Sequence, residues 1–362
     1  MKYMYPHINT GLNPRLVENI NQAAGKVHYK LSKLDLKRTG ISEYNQRALQ
    51  GKLSNPIGHL QLYSYLLCLA LAEGSDSLDR FTFIEYGGGA GVLSLLAKAS
   101  GIGTVIYNDI YDISCKDAQA IASAVGICID AYVCGDMDDL IDHVAQAGNT
   151  VNAIASWDVI EHIYDIENYL KKLKFISNQP FRVVFGSGAN AKNPLIRRKL
   201  EKKQVTCEYQ DRKQQWGHKE RDTLESYFNV RKQIIKNYAP ELPPATIAKI
   251  AKKTRGLMID DIQTVVEEFK ETGGILYQPE GSFNTCDPYT GNWAEHLMDT
   301  DKLKTILTRQ GFAVKILSGF WPSSNSFYKK IITNVLNIAL GTMGSKAMAL
   351  SPYYVIQADY DR

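Results

Sequence analysis

Residues 81–98 read Phe81-Thr-Phe-Ile-Glu85-Tyr-Gly87-Gly-Gly89-Ala-Gly91-Val-Leu-Ser-Leu-Leu-Ala-Lys98. A short apolar run ends in a carboxylate, glycines follow at alternate positions, and an apolar helical pattern then begins. This order predicts a strand, a tight turn and the start of a helix. The glycines at 87, 89 and 91 lack a Cβ where a ligand must approach the backbone. The helix start offers its unpaired N–H groups to an anion.

The spacing of the glycines separates two kinds of nucleotide fold. A dinucleotide-binding turn has the pattern G-x-G-x-x-G. Counted from Gly87, the third glycine is replaced by Val92, and counted from Gly88, the middle one is replaced by Ala90. The pattern present, Glu-x-Gly-x-Gly-x-Gly, resembles the first motif of class I S-adenosylmethionine (SAM)-dependent methyltransferases. In that family the turn receives the amino-acid end of SAM.

Three further strand ends carry polar residues in the order that this resemblance implies. Thr104–Asp109 reads as a buried strand, and Asp109 is placed to accept hydrogen bonds from both ribose hydroxyls. Ala131–Met137 ends in Gly-Asp, and the resemblance implies that Asp136 accepts from the adenine amino group while the Met137 backbone meets the ring. Capping of the following helix is the alternative role for Asp109 and for Asp136.

The fourth strand runs into Trp157-Asp158-Val-Ile-Glu161-His162-Ile, which resembles the post-strand motif of small-molecule methyltransferases. The resemblance covers residues 81–170 and is much weaker outside them. It implies SAM as cofactor, with S-adenosylhomocysteine as product. The residues expected to contact the cofactor are Glu85, Tyr86, Gly87, Gly89, Gly91, Asp109, Asp136, Met137 and Trp157.

Strand and helix patterns alternate from residue 81 to a fifth strand at Phe181–Phe185, which predicts a parallel sheet. Phe312–Phe320 and Pro352–Ala358 read as a sixth and a seventh strand, and the resembling family pairs these two as an antiparallel edge hairpin. We therefore predict an α/β fold: a Rossmann-like, seven-stranded, mostly parallel, doubly wound sheet with a helical lid insertion.

Four segments follow from these patterns. Residues 1–80 form a helical N-terminal cap, 81–189 the SAM-binding core, 190–292 a helical insertion, and 293–362 complete the core. From Lys192 to Arg255 there are 17 Lys or Arg against 7 Asp or Glu, although the whole chain carries only +4. This basic stretch is read in three ways: as a grip on a phosphorylated acceptor such as a lipid-linked sugar, as an RNA-docking surface, or as a solvated helical face.

Methyl transfer from SAM requires alignment, exclusion of water and, for a hydroxyl acceptor, a base. Asp158, Glu161 and His162 fall on one face if a helix starts there. His162 is then the candidate base, with Asp158 beside it. Two alternatives are that the three residues bind a divalent metal, which is not favoured, or that they cap and orient the helix.

The acceptor residues expected besides Glu161 are His218, Trp293 and His296. We expect a small-molecule acceptor, most simply a sugar or metabolite hydroxyl of the kind used in polysaccharide biosynthesis, and hence O-methylation. A methyltransferase of RNA or protein that docks through the basic stretch is one alternative. A non-catalytic SAM- or nucleotide-binding regulatory protein is another.

Composition sets outer bounds on these predictions. A chain of 362 residues can bury a large core. The six cysteines form no C-x-x-C pair. Several lie in apolar strand or helix patterns, where a free thiol packs as a small hydrophobe, and this fits a reducing, cytoplasmic compartment. We expect neither a secretory signal nor a membrane span. An apolar helix that begins at Ser326 has lysines in its first turn, and it is expected either to pack on the sheet, to form a homodimer contact, or to lie on a membrane.

Overall fold

The computed structural model describes residues 2–4, 12–71, 78–212, 223–324 and 326–361. The chain forms two compact units. The sheet unit comprises Met1–Val159, Glu167–Gly188 and Thr300–Arg362, and the insert unit comprises Ile160–Ile166 and Ala189–Asp299. The part of the chain between the fifth strand and the core helix at 300 therefore folds around a centre of its own.

Seven strands form one sheet in the order β3-β2-β1-β4-β5-β7-β6. The first five strands run parallel, and β7 pairs antiparallel with both β5 and β6. The predicted Rossmann-like, mostly parallel sheet is thus confirmed, including the antiparallel pairing of the last two strands. The strands are β1 (Thr82–Tyr86), β2 (Thr104–Asp109), β3 (Ala131–Cys134), β4 (Ala153–Trp157), β5 (Phe181–Ser187), β6 (Phe312–Ser318) and β7 (Tyr354–Tyr360).

The described residues also form thirteen α-helices, numbered here in chain order. They are α1 (Pro14–Ser32), α2 (Glu43–Ser54), α3 (Pro56–Ala70), α4 (Val92–Ala99), α5 (Asp112–Val125), α6 (Met137–Ala147), α7 (Ile166–Lys172), α8 (Pro194–Tyr209), α9 (Tyr227–Tyr238), α10 (Pro244–Lys253), α11 (Ile259–Thr272), α12 (Thr300–Arg309) and α13 (Phe327–Thr342). Four short 3₁₀ segments accompany them, among them Ile160–His162 and Gly344–Ala349.

The core of the sheet unit explains why its N-terminal helices belong to it. Helix α3 packs on β4 and β5 and is buried along almost its whole length. Helix α1 begins with the Asn13 cap and Pro14, which has no N–H to leave unpaired. It packs on α3 and α4 through one apolar face at helical spacing. The buried residues of that face are Ile20, Ala23, Ala24, Val27 and Leu31.

The insert unit has a separate apolar core formed by α9, α10 and α11, with Ile235, Ile250 and Val266 fully buried. One ion pair lies inside it: Arg231 is fully buried, and its guanidinium donates to Glu208 and to the Ala251 carbonyl. Charges removed from water in this way persist only when paired. Part of the basic excess predicted from sequence is therefore internal.

The cysteines differ in one respect from expectation. Cys115 in α5 and Cys134 at the end of β3 form a disulfide, with their Cα atoms 6.2 Å apart. The prediction of free thiols is wrong for this pair, because pairing of β2 with β3 brings together residues that are distant in sequence. The other four cysteines are free. Within the described residues, no helix combines the length and apolar character that crossing a bilayer requires.

Candidate functional site

The turn between β1 and α4 bends sharply at three glycines. Gly87, Gly89 and Gly91 have φ of 66°, 53° and 69°, a region that side chains rarely adopt. A Cβ on Gly87 would lie 2.6 Å from Val159, and one on Gly88 would lie 2.5 Å from the ring of Tyr107. A Cβ on Gly89 would meet nothing within 4 Å. The turn thus packs closely on both sides and leaves its backbone open at Gly89.

Glu85 caps the helix that follows this turn. Because Gly91 is the N-cap residue of α4, the helix start has no side chain of its own to accept its N–H groups. The Glu85 carboxylate takes that place, and its Oε2 accepts from the Ser94 N–H at 2.7 Å. Burial raises the pKa of Glu85 from 4.5 to about 7, although hydrogen bonds from the helix start and the charge of Lys52 lower it in part.

Asp109, at the end of β2, holds the same turn from the other side. Its Oδ2 accepts from the Gly89 N–H at 2.9 Å, and its Oδ1 accepts from the Tyr111 N–H at 3.0 Å. The Tyr107 hydroxyl donates to the Gly89 carbonyl at 2.6 Å. Burial raises the pKa of Asp109, and its two backbone hydrogen bonds offset part of that rise. No sequence pattern points to Tyr107, although its hydroxyl fixes the one open residue of the turn.

Asp136, at the end of β3, is the N-cap of α6. Its Oδ1 accepts from the N–H groups of Asp138 and Asp139, and Asp139 reciprocates in a capping box. The helix-capping role left open for Asp136 is therefore present. Both of these bonds end on Oδ1, and a carboxylate has four lone-pair sites, so the Asp136 side chain can accept further hydrogen bonds. Met137, the first residue of α6, is buried.

Tyr86, the last residue of β1, lies near the acidic residues at the ends of β2 and β3. Burial raises the pKa of its hydroxyl, and the carboxylates of Asp136 and Asp109 raise it further. Its ring packs on Tyr169 with centroids 5.1 Å apart. Tyr86 thus lies within electrostatic range of both acidic residues that were predicted to contact the nucleoside.

The end of β4 carries Trp157 and Asp158. The Trp157 ring packs edge-on against Tyr353 and covers Gly186, where a Cβ would lie 2.5 Å from the indole. Asp158 has a φ of 53°, a strained value for a residue with a side chain. Its Oδ1 accepts from the Gly188 N–H at 2.7 Å, and its own N–H donates to Gly186. Hydrogen bonds on both sides therefore hold this aspartate in an unfavourable backbone conformation.

Two residues of the N-terminal helices interact electrostatically with the carboxylates at the strand ends. Lys52 of α2 and Tyr63 of α3 hydrogen-bond to each other. Burial raises the pKa of Tyr63; the charge of Lys52 opposes that rise, and those of Glu85 and Asp158 add to it. Neither residue could be predicted from the sequence, because no local pattern relates positions 52 and 63 to the strand ends.

The predicted helix start at 158–162 is wrong. Asp158 is left-handed, Ile160–His162 is a single 3₁₀ turn, and α7 begins only at Ile166. The three candidate residues therefore do not share one helix face. Glu161 and His162 belong instead to the insert unit, where the His296 N–H donates to the Glu161 carbonyl at 3.1 Å. The cause is a pairing over more than 130 positions that a local pattern does not encode.

His162 is oriented by the segment around Trp293. Its Nδ1 lies 2.8 Å from the Trp293 carbonyl, which only accepts. That contact places the proton of a neutral imidazole on Nδ1 and leaves Nε2 as the basic nitrogen. His162 is also within electrostatic range of Glu295. The neighbours that orient His162 are thus the Trp293 carbonyl and Glu295, both in the insert unit.

Trp293 is the centre of an aromatic stack. Tyr164 lies on one side with ring centroids 6.1 Å apart, and His296 lies at 4.2 Å with nearly parallel planes. His296 is buried, and neither of its ring nitrogens hydrogen-bonds within the described residues. The carboxylate of Glu280 lies 3.4 Å from His296 Nε2. Trp293 and His296, both predicted acceptor residues, are therefore adjacent.

Glu295 stands between them in sequence and has a φ of 62°. Burial alone would raise its pKa, but Lys203, 2.7 Å away, and His162 together lower it. Glu295 is thus a half-buried carboxylate that remains ionised. Glu295 and Lys203 are 92 positions apart, and no local sequence pattern points to either.

Two further predictions concern His218 and a possible metal site. His218 lies outside the described residues, so its predicted acceptor role stays a prediction. The described part of the chain contains no group of three or more His, Cys, Asp or Glu side chains that could hold a metal ion.

No protein-family model matches this chain, and no curated protein matches it. It is similar to the solved structure of SMU.776, a putative methyltransferase complexed with SAH, at 14% identity and a TM-score of 0.30, over 40% of this chain and 38% of that one. It is also similar to the CurJ carbon methyltransferase, at 10% identity and a TM-score of 0.41, over 89% of this chain and 60% of that one.

A third structure is magnesium protoporphyrin IX methyltransferase (ChlM) from Synechocystis with bound SAH, at 12% identity and a TM-score of 0.39, over 85% of this chain and 86% of that one. This chain thus spans less than two thirds of the first two proteins. All three are named as methyltransferases. At such low identities and TM-scores, the activity of this chain is inferred from its own residues.

Proposed function

We propose that the chain is a class I SAM-dependent methyltransferase. The observation that carries the proposal is the turn at Gly89: the backbone is bent to positive φ, held by Asp109 and Tyr107, and left open on the side where a Cβ would point. Gly89 differs in this from Gly87 and Gly88, whose Cβ positions are blocked by Val159 and Tyr107, and it lies between the carboxyl ends of β1 and β2, where ligands of parallel α/β sheets bind.

The residues around this turn fit the parts of SAM. The open backbone at Gly89 suits the close approach of the amino-acid end. Asp109 retains lone pairs beyond the bonds from Gly89 and Tyr111 and suits the two ribose hydroxyls. Asp136 retains Oδ2 for the adenine amino group, and Tyr86 lies near both acids. When bound, SAM supplies a methyl group on a sulfonium, a good leaving group.

We assign the acceptor chemistry to His162. With Nδ1 bonded to the Trp293 carbonyl, Nε2 is the atom that takes a proton from an acceptor hydroxyl. The ionised carboxylate of Glu295 stabilises the imidazolium that forms. Such a base is needed for O-methylation and is dispensable for most amines. We therefore propose a hydroxyl of a sugar or other small metabolite as the acceptor.

A role in RNA or protein methylation through the basic stretch has less support. Lys203 pairs with Glu295, Arg231 is fully buried with Glu208, and Arg255 donates to the carbonyls of Gly281 and Asn284. These three of the 17 cations in the stretch are engaged within the unit and are not available to phosphates of an RNA backbone.

Transfer of a labelled methyl group from SAM tests the proposal. The purified protein would be incubated with sugars and other hydroxyl-bearing metabolites, with RNA, and with protein acceptors in parallel. Label in the first group supports O-methylation of a small molecule. Label in RNA or protein alone contradicts the proposed acceptor and leaves the cofactor in place. Tight SAM binding without transfer to any acceptor supports a regulatory SAM-binding protein instead.

A further inference from the structure

Helix α13 presents an apolar face to solvent. Six large apolar side chains on it are between 49% and 78% exposed. They fall at helical spacing on one side of the helix. They are Phe327, Tyr328, Ile331, Ile332, Val335 and Ile338. The described residues have 17 exposed large apolar side chains in all, so more than a third of them lie on this one helix.

The opposite face of the helix is fixed to the sheet unit by polar contacts. The Asn337 amide accepts from the Trp321 N–H at 2.7 Å and donates to the Trp321 carbonyl at 2.8 Å. The Trp321 indole donates to the Leu350 carbonyl at 3.0 Å, and Leu340 is buried on the same side. The helix is therefore attached by its inner side, and its apolar face points outward in a defined orientation.

The segment of the chain that carries this face has charges of one sign. Residues 302–358 contain seven Lys or Arg and no Asp or Glu. Lys329 and Lys330 lie in the first turn of α13, and Lys346 lies in the 3₁₀ segment after it; all three are exposed. An apolar stripe on a helix with exposed cations in its first turn and just after its last turn matches the headgroup region of an anionic bilayer.

We propose that the α13 face binds the surface of an anionic lipid bilayer. The helix lies in the plane of the headgroups, with its apolar stripe inserted and Lys329, Lys330 and Lys346 on lipid phosphates. Sixteen residues with one inward face bound to Trp321 make a surface helix and not a spanning one. The proposal is independent of the proposed methyl transfer, because no residue of the SAM site takes part.

Flotation with lipid vesicles tests it, with and without SAM. The full chain would be mixed with vesicles of phosphatidylcholine alone or of phosphatidylcholine with phosphatidylglycerol. We expect flotation with the anionic vesicles and weaker flotation at high salt. Ile332→Gln with Val335→Gln removes apolar surface at unchanged charge, and we expect binding to fall about tenfold or more. Leu276→Gln is the matched control, since Leu276 is a single apolar side chain, 82% exposed, far along the chain from α13.

Lys329→Gln with Lys330→Gln tests the charge contribution. Each lysine near an anionic surface strengthens binding about fivefold, so we expect a loss of about 25-fold for the pair at low salt. Circular dichroism and melting temperature confirm that each variant is folded. Three results overturn the proposal: no flotation of the unmodified chain, equal flotation of the glutamine variants, or a dimer that the α13 variants dissociate while vesicles bind nothing. The last result assigns the face to a second copy.

Discussion

Replacing one glycine of the turn separates a ligand contact from a packing role. In Gly89→Ala the new Cβ meets no protein atom within 4 Å, so the cost to the fold is the strain of an alanine at a φ of 53°. That strain is about 1–2 kcal/mol. The methyl group occupies the side of the backbone that we assign to the cofactor. We therefore expect SAM affinity to fall by at least about 1.4 kcal/mol, a factor of ten.

Two other substitutions make this prediction specific. Gly148→Ala carries the same strain, with a φ of 64° and nothing within 4 Å, but it lies at the end of α6 outside the turn. Gly88→Ala would place its Cβ 2.5 Å from the Tyr107 ring and 2.9 Å from the Glu85 carboxyl carbon. We expect that overlap to cost about 1–3 kcal/mol or more in stability.

Calorimetric titration with SAM and thermal melting measure the two effects separately. Gly89→Ala and Gly148→Ala should lower the melting temperature by similar amounts, and only Gly89→Ala should lower SAM affinity. Equal SAM affinities for these two variants would refute the assignment of the open side of Gly89 to the cofactor. A stable Gly88→Ala protein would refute the packing argument.

Three further predictions concern single side chains. Asp109→Asn should weaken SAM binding by about 1–3 kcal/mol in the same titration, because one acceptor oxygen is lost; unchanged affinity would remove Asp109 from the ribose site. Since the pKa of Glu85 is about 7 in the fold against 4.5 in the unfolded chain, its ionisation should cost stability progressively from pH 4.5 to 7, by about 3 kcal/mol. The melting temperature should therefore fall less steeply with rising pH in Glu85→Gln than in the unmodified protein. The same pH dependence in both proteins would contradict the argument that Glu85 is buried. His162→Gln should lower kcat for a hydroxyl acceptor by about 10²–10⁴-fold and leave SAM affinity unchanged; a kcat within a few-fold of the unmodified enzyme would exclude His162 as the base.

The sheet could be predicted because its signals are local. Each strand is a short apolar run, and the carboxylates at 85 and 109 mark where two of these runs end. Glycine spacing distinguished the turn from a dinucleotide-binding one. These features depend on neighbours within about ten positions, and the pairing order of the sheet confirmed the fold they predict.

The acceptor side could not be predicted in the same way. His162 was assigned to a helix start because its spacing from Asp158 suited one, but the Trp293 segment pairs with residues 161–162 and places them in the insert unit. Glu295 and Lys203 meet through an ion pair across 92 positions. The periodicity of a single sequence reports local structure and does not show which distant residues pair. The Cys115–Cys134 disulfide escaped prediction for the same reason.

A crystal structure of the protein with S-adenosylhomocysteine decides whether the turn at Gly89 is the cofactor site. We expect the amino-acid end of the ligand against the open backbone at Gly89, its ribose hydroxyls on Asp109 and its adenine beside Asp136 and Met137. A ligand bound elsewhere on the protein, or this turn closed by side chains at saturating ligand, would contradict it.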